Sequence, residues 1–384
     1  MRLTILHTND IHSNYENFAK IVTKIRELQD ESTIILDAGD FADFKRFELL
    51  GTHGLAALDL LEAAGYDAIA VGNNETFQGH ETLINMITNS KIPFLSSNLY
   101  RLGYKKFEGI YSSIIIQRNN LRILMIGASP DLGPFNELLD LSLRDYLEVI
   151  QEEIDKNRGN YDLCILLSHL GMESDTRIAE QIPQVQVIIG GHFHILMEKP
   201  QIINNTIIFT SGSFAENLGV LMLEVDDKGV RLLFGENINV QECEPCEDIL
   251  NLIQKNKEVA SKELSKPLYP LDRDLWHDIV EENPITNLLA DALFDIFDCD
   301  LVIINSGVLN GGLRKGEVTL KKLLEICPSP LNPTYFEMQG KDILEALQNS
   351  LDAETCYSDG KGPGFRGKYL GRLHVSNAVI EHNG

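Results

Sequence analysis

The sequence predicts a layered α/β protein of two domains, on three observations. Short runs rich in Ile, Leu and Val alternate with stretches whose apolar residues recur at helical spacing, through the first 227 residues. At 384 residues the chain is long for a single hydrophobic core. Near residue 240 its character turns polar and charged, and a second set of α/β signals follows.

Each element has a local reason. LTILH opens as a strand, and NFAKIVTKIRELQ follows as a helix because Phe18, Ile21, Val22 and Ile25 share one face. STIILDAGD is a short β-rich run, GLAALDLLEAAG a helix that Gly65 ends, and DAIAVGNN a strand. ETLINMITNS is helical and IPFLSSN extended. SSIIIQ and LRILMIGAS form a hairpin pair around Arg118, Asn119 and Asn120. LRDYLEVIQEEIDKN is a helix, and DLCILLSH and VQVIIGGHFH are buried strands. TIIFTSGS and GVLMLEVDD add antiparallel strands. The polar stretch QECEPCEDILNLIQKNKEVASKELSKPL reads as a helical connector. It sets a first domain at 1–240, a linker at 241–265 and a second domain at 266–384. In that second domain NPITNLLADALFDIF is a helix with Asn283 as its cap and Pro284 at its first position. DLVIIN is a strand, SGVLNGGLRKG a Gly-rich loop, and LKKLLEI part of a helix. The last forty residues, rich in Gly, Lys and Arg, carry few element signals.

Thirty-three basic residues against 57 acidic ones leave a net charge of −24. So acidic a chain lacks the broad basic face that nucleic acid or an anionic membrane requires, and neither is an expected partner. A small anionic ligand in a local site is compatible with the charge. Met1 and Arg2 lead straight into a strand, so no signal peptide is expected, and no apolar run approaches a membrane span. Of six cysteines only Cys243 and Cys246 are close, as CEPC; one such pair alone reads as two reduced thiols. The expected setting is the cytoplasm.

Five apolar strands of the first domain each end in a metal-ligand residue type. They deliver Asp10 and His12 in HTNDIH, Asp40 in LDAGD, Asn73 in VGNN, His169 in LLSH, and His192 with His194 in GGHFH. Sites in α/β folds gather outside the carboxyl ends of strands, so these side chains are candidates to meet. Singly, each has an ordinary explanation: a helix cap for either aspartate, a turn for Asn73, a loop or core position for a histidine. Five coincident strand ends are much harder to explain so. Carboxylate, imidazole and amide oxygen suit Zn, Mn, Fe or Co, and a carboxylate such as Asp40 can bridge two ions.

DIH, GD after an apolar strand, GN, SHLG and GGHFH, in this order, resemble the calcineurin-like metallophosphoesterases. The whole chain is similar to their 5′-nucleotidase branch, and TNLLADAL with DLVIINSG resembles the opening of that branch's second domain. The resemblance implies a four-layer α/β/β/α sandwich followed by a smaller α/β domain that recognises nucleotide. It implies two divalent ions (Mn, Zn, Fe or Co), one held by Asp10, His12, Asp40 and His194, the other by Asp40, Asn73, His169 and His192. The implied activity is release of phosphate from a small phosphate ester, a nucleotide foremost, by attack of a metal-bridging hydroxide.

The chain departs from the family at definite places. Gly-Asn-His-Glu, followed by an aromatic and an Asp, becomes a stretch with Asn74 for the His and Phe77 for the Asp. Asn74 can donate to a phosphoryl oxygen but cannot protonate a leaving group, a service worth roughly 10²–10⁴-fold. His80 and His53 are the candidate substitutes, although each also reads as a surface or helix-end residue. In the second domain the pattern Asn-x-Gly-x-x-Arg runs from Asn305 to Asn310, with Arg314 four residues later as the replacement cation. The base-stacking aromatics are missing: ICPSPLNP holds none, and GRLHVSN puts Leu373 and His374 where one is expected. The chain ends at Gly384, short of where the family's second domain closes, which reads as a cut or reduced domain. Two alternatives to nucleotide hydrolysis follow: cleavage of a cyclic nucleotide or other phosphodiester, and metal-dependent nucleotide binding with vestigial turnover.

Overall fold

Strands that read as unbroken apolar runs are buried on both faces, and this produces the layering. In Arg2–Thr8, Leu3 and Ile5 enter one apolar cluster and Leu6 another. In Leu163–Ser168, Leu163, Ile165 and Leu167 join the first of these, while Cys164 and Leu166 enter a third. The structure is a computed structural model that describes residues 1–328, 333–360 and 367–379. The chain divides into two units, Met1–Ala260 and Ser261–Gly384.

In the first unit a seven-stranded and a six-stranded sheet face each other across the middle cluster. Helices Tyr15–Leu28, Leu55–Ala64 and Gly79–Asn89 cover the outside of the first sheet. Tyr146–Lys156 and Met172–Gln181 cover the outside of the second. The result is a four-layer α/β/β/α sandwich. In the first sheet Arg2–Thr8, Thr33–Asp37 and Ala68–Ala70 are parallel neighbours, with Thr8 level with Asp37 and Asp37 with Ile69. In the second, Leu121–Ala128, Leu163–Ser168 and Val187–Gly190 are parallel neighbours, with Ser168 level with both Ala128 and Gly190. Each sheet therefore releases its chain at one edge, in three adjacent loops.

Polar groups tie the two sheets together at that edge. Ser129 Oγ donates to the Val71 carbonyl at 2.6 Å, and the Asn98 amide both donates to Ser129 O and accepts from Ser129 N, each at 2.8 Å. Ser97 donates through N and through Oγ to the Gly127 carbonyl, both at 2.8 Å. The sheets approach so closely here that a Cβ on Gly127 would lie 2.3 Å from the Leu95 carbonyl oxygen.

Most expected elements are present, including the hairpin whose Asn119 and Asn120 take left-handed φ values of 47° and 61°. Strands Gln201–Ile203 and Gly229–Asn239 and helix Met172–Gln181 are additions to the sequence reading. The connector stretch forms helix Glu247–Leu264, whose Ile249 and Ile253 pack in the first unit's outer cluster. The second unit has a small core of Leu275, Ile285, Val308, Leu309, Leu313, Val318 and Ile326. Its helix Pro284–Ile296 is capped by Asn283, which accepts from Thr286 N at 3.2 Å. Strand Leu373–Ser376, in the stretch with few signals, pairs antiparallel with Val302–Asn305.

Replacing Gly127 by Ala forces a methyl group against a backbone carbonyl that cannot rotate away. It is expected to destabilise the first unit by about 1–3 kcal/mol, read from urea unfolding; an unchanged midpoint would contradict the close approach.

Candidate metal centre

Four of the six loops leaving the two sheets bring strand-end residues together in two overlapping groups, Asp10 with His12 and His194, and Asp10 with Asp40 and His169. Within each group the ligand atoms lie within 4.8 Å of one another. His12 and His194 present Nε2 atoms 2.9 Å apart, and His194 Nε2 is 3.5 Å from Asp10 Oδ1. His169 Nε2 is 3.3 Å from Asp40 Oδ1 and 3.8 Å from Asp10 Oδ1. Asn73 Oδ1 and His192 Nδ1 are 3.0 Å apart, and the His192 and His169 rings meet edge-on at 5.2 Å. The sequence expectation makes Asp40 the bridging carboxylate. In the structure Asp40 does face both halves, with Oδ2 also 3.8 Å from His12 Nε2, but Asp10 belongs to both groups as well.

The backbone is bent to achieve this. Asp10, His12, Asp40, His192 and His194 all adopt left-handed conformations, with φ between 46° and 82°. That conformation costs a non-glycine residue roughly 1–2 kcal/mol. It persists where surroundings over-determine it, typically at active sites. Here hydrogen bonds of 2.9 Å from Asp10 N to Gly39 O and from His12 N to Asp40 O lock two loops side by side. Gly72 lets a third loop reach them, since a Cβ there would lie 2.2 Å from Asp40 Oδ1.

These donors fit a metal ion. His169 is fully buried, its Nδ1 lies 2.7 Å from the Ala38 carbonyl, and its Nε2 has no hydrogen-bond partner. Donation from Nδ1 fixes the tautomer and leaves an Nε2 lone pair aimed at Asp40 and Asp10, as a histidine ligand requires. Burial pulls the His169 pKa down, but the two carboxylates outweigh it and push it up to about 10. Asp40 is likewise raised by burial and, more strongly, lowered by His169 and its hydrogen-bond donors, so it stays ionised. The carboxylates thus draw positive charge to this point, and a divalent cation would supply it while leaving the ring neutral. Burial lowers the pKa of His12 and of His192, which favours the neutral, ligating form of each.

Two residues that hold the ligands escaped the sequence reading. Asn9 donates to Asp10 Oδ2 at 2.7 Å while its own oxygen accepts from Ser211 N and Oγ. Glu75, buried, accepts backbone N–H groups from Asp40 at 3.1 Å, Ala42 at 2.9 Å and Gly72 at 2.9 Å. Burial and the Asp40 charge raise its pKa. A carboxylate one or two residues beyond a ligand is the available signal, but nothing in sequence says which way it turns.

The catalytic candidates behave differently from expectation. Asn74 is beside the cluster, yet its amide donates to Asp40 Oδ2 at 2.6 Å and its N–H to Asp40 Oδ1 at 2.8 Å, so it is engaged with a ligand. Phe77 is exposed. His80 faces Asp140 at 3.6 Å, and His53 is an exposed left-handed helix terminus. Among the described residues no hydrogen bond or ion pair joins either histidine to the cluster. In the second unit Asn305 donates to the Leu370 carbonyl, and Asn310 and Arg314 are exposed. His374 is buried between Asn287 Oδ1 at 2.7 Å and Asn283 Nδ2 at 3.3 Å, which makes it part of the strand's packing, while Leu373 is half-buried. Ser329 to Asn332 of the ICPSPLNP stretch lie outside the described residues.

A four-layer sandwich with this ligand set at its strand ends defines a metal-dependent phosphoesterase. Residues 3–196 match the calcineurin-like phosphoesterase domain and residues 260–381 the 5′-nucleotidase C-terminal domain. The chain is 31% identical to the uncharacterized metallophosphoesterase YunD of Bacillus subtilis, over 99% of this chain and 85% of that one. It is 25% identical to the 5′-nucleotidase of Mus musculus, over 91% of this chain and 71% of that one. The solved NAD nucleotidase of Haemophilus influenzae has a similar fold, with TM-score 0.68 at 17% identity over 97% of this chain and 85% of that one. A 5′-nucleotidase precursor from Thermus thermophilus gives 0.61 at 20% identity, over 98% and 81%. The chain belongs to the calcineurin-like phosphoesterase family and is a hydrolase with a 5′-nucleotidase type of C-terminal domain. No helix among the described residues is long and apolar enough to cross a membrane.

Changing Glu75 to Gln removes the charge that gathers three N–H groups and points an amide NH₂ at at least one of them. Metal affinity is expected to fall about 10–100-fold in a calorimetric titration, with far-ultraviolet circular dichroism unchanged. Unaltered affinity would mean that Glu75 does not hold the loops.

Proposed function

We propose that this chain hydrolyses small phosphate esters at a centre of two divalent ions, with nucleotides as its substrates. The observation that supports this most is the convergence of seven ligand-type side chains, five on left-handed backbone, at one edge of two sheets. Asp10, His12, Asp40 and His194 would hold one ion, and Asp40, Asn73, His169 and His192 the other. Bound divalent ions supply Lewis acidity toward phosphoryl oxygens and lower the pKa of water at the site. The donor set suits Mn, Zn, Fe or Co. The match of residues 260–381 to a 5′-nucleotidase domain supports a nucleotide as the ester. Within the second unit taken by itself, Arg314 is exposed and is kept as the candidate cation, whereas Asn305 is turned onto backbone. All six cysteines are unpaired, which supports a reducing compartment and hence the cytoplasm.

The protein's own groups set the leaving-group preference. Asn74 has no acidic proton to transfer, and both its amide and its N–H are held by Asp40. Without general acid assistance, worth roughly 10²–10⁴-fold, esters whose leaving groups need little protonation are favoured. Manganese-loaded protein is expected to turn over p-nitrophenyl phosphate faster than AMP, and His169→Ala to abolish both. If neither these nor 2′,3′-cyclic AMP and bis-p-nitrophenyl phosphate are hydrolysed faster than by His169→Ala, the chain is not a phosphoesterase acting at this centre. Cleavage confined to the last two substrates would make it a phosphodiesterase. Asn74→His is expected to speed AMP hydrolysis; no gain would show that leaving-group protonation does not limit the rate.

A further inference from the structure

Two phenylalanines stand beside the ligand cluster with much of their rings in solvent. Phe193, between His192 and His194 in sequence, is 59% exposed, and Phe214 is 43% exposed. Both are nonetheless held. The Phe193 ring lies 4.8 Å from the His192 ring and against the backbone of Gly171, where a Cβ would come within 2.5 Å of it. Phe214 packs against the rings of His12 and His194, 5.6 Å from each. Its backbone is left-handed, with φ 57°, and is fixed by donation from its N–H to Asp10 O at 2.8 Å and from Asn17 Nδ2 to its carbonyl at 3.1 Å. A bulky residue in this conformation is a genuine outlier. An exposed aromatic also forgoes the stabilisation that burial would bring.

The two rings flank one centre. Phe193 adjoins the half assigned to His169, His192 and Asn73, and Phe214 adjoins the half assigned to His12 and His194. A tetrahedral phosphoryl group has no use for an aromatic surface, whereas the organic group it carries does. Rigid rings already standing in place lose little conformational freedom on binding. We propose that Phe193 and Phe214 form a subsite for the organic part of the ester, so that beside nucleotides the centre accepts esters whose planar apolar group is attached directly to phosphate. This rests on the phosphoesterase reading of the cluster. Aromatic pairs contribute beyond simple burial, corresponding to about two- to tenfold in affinity per ring.

The test uses the metal-loaded full chain and two phosphonates that cannot be hydrolysed, phenylphosphonate and methylphosphonate, in calorimetric titrations. Wild type is expected to bind phenylphosphonate about tenfold or more tighter. In Phe193→Ala/Phe214→Ala that ratio is expected to fall toward one, with metal stoichiometry and methylphosphonate affinity retained. Because Phe214 touches two ligand candidates, Phe193→Ala alone is measured as well, and a drop in the ratio of about two- to tenfold is expected there. No preference in wild type, or a preference unchanged in both variants, would overturn the proposal and leave the phosphoesterase reading intact. Binding of neither phosphonate by metal-loaded wild type would overturn both.

Discussion

Two carboxylates, Asp10 and Asp40, lie almost wholly out of water within reach of one buried imidazole, and the rest of the first unit is arranged around that fact. Removing a charge from water costs several kcal/mol per ion even after relaxation. Each carboxylate is therefore surrounded by donors: Asn9 and the His192 N–H for Asp10, and the side chain and N–H of Asn74 for Asp40. These donors still leave net negative charge, which the raised His169 pKa expresses. A cluster that pulls this strongly on positive charge is built for cations, and the strained backbone beneath it is what aims the ligands inward.

The sandwich makes that cluster possible. Neither sheet alone carries the full set, since Asp10, Asp40 and Asn73 leave one sheet and His169, His192 and His194 the other. The site's geometry thus depends on how closely the sheets approach, which Gly127 permits and which Ser97, Asn98 and Ser129 secure by hydrogen bonds. Fold stability and ligand geometry are coupled through this seam.

The meeting of the candidate ligand residues was legible in sequence because each follows an apolar strand, and strand direction puts such positions at one edge. What supports them was not, because support depends on side-chain direction. Glu75 sits two residues after Asn73 and looks like any turn acid, yet it gathers N–H groups from two loops. Asn74 reads as a group facing substrate, but the short 3-10 turn Asn74–Thr76 points its amide at Asp40. His80 and His53 were chosen by closeness along the chain; the one opens helix Gly79–Asn89 and faces Asp140, and the other ends helix Phe47–Thr52. Helix Met172–Gln181 was obscured by its charged composition, with Ile178 and Ala179 supplying its few apolar contacts. Strand Leu373–Ser376 is four residues long, and its partner is about seventy residues away in sequence, so no local pattern announces it.

The central claim is that two ions share this ligand set. Its most direct measurement is anomalous diffraction from crystals grown with saturating Mn²⁺ or Zn²⁺. Two peaks roughly 3.5–4 Å apart are expected, one beside Asp10, His12 and His194, the other beside Asp40, Asn73, His169 and His192. A single peak, or none at these side chains under saturating metal, would contradict it.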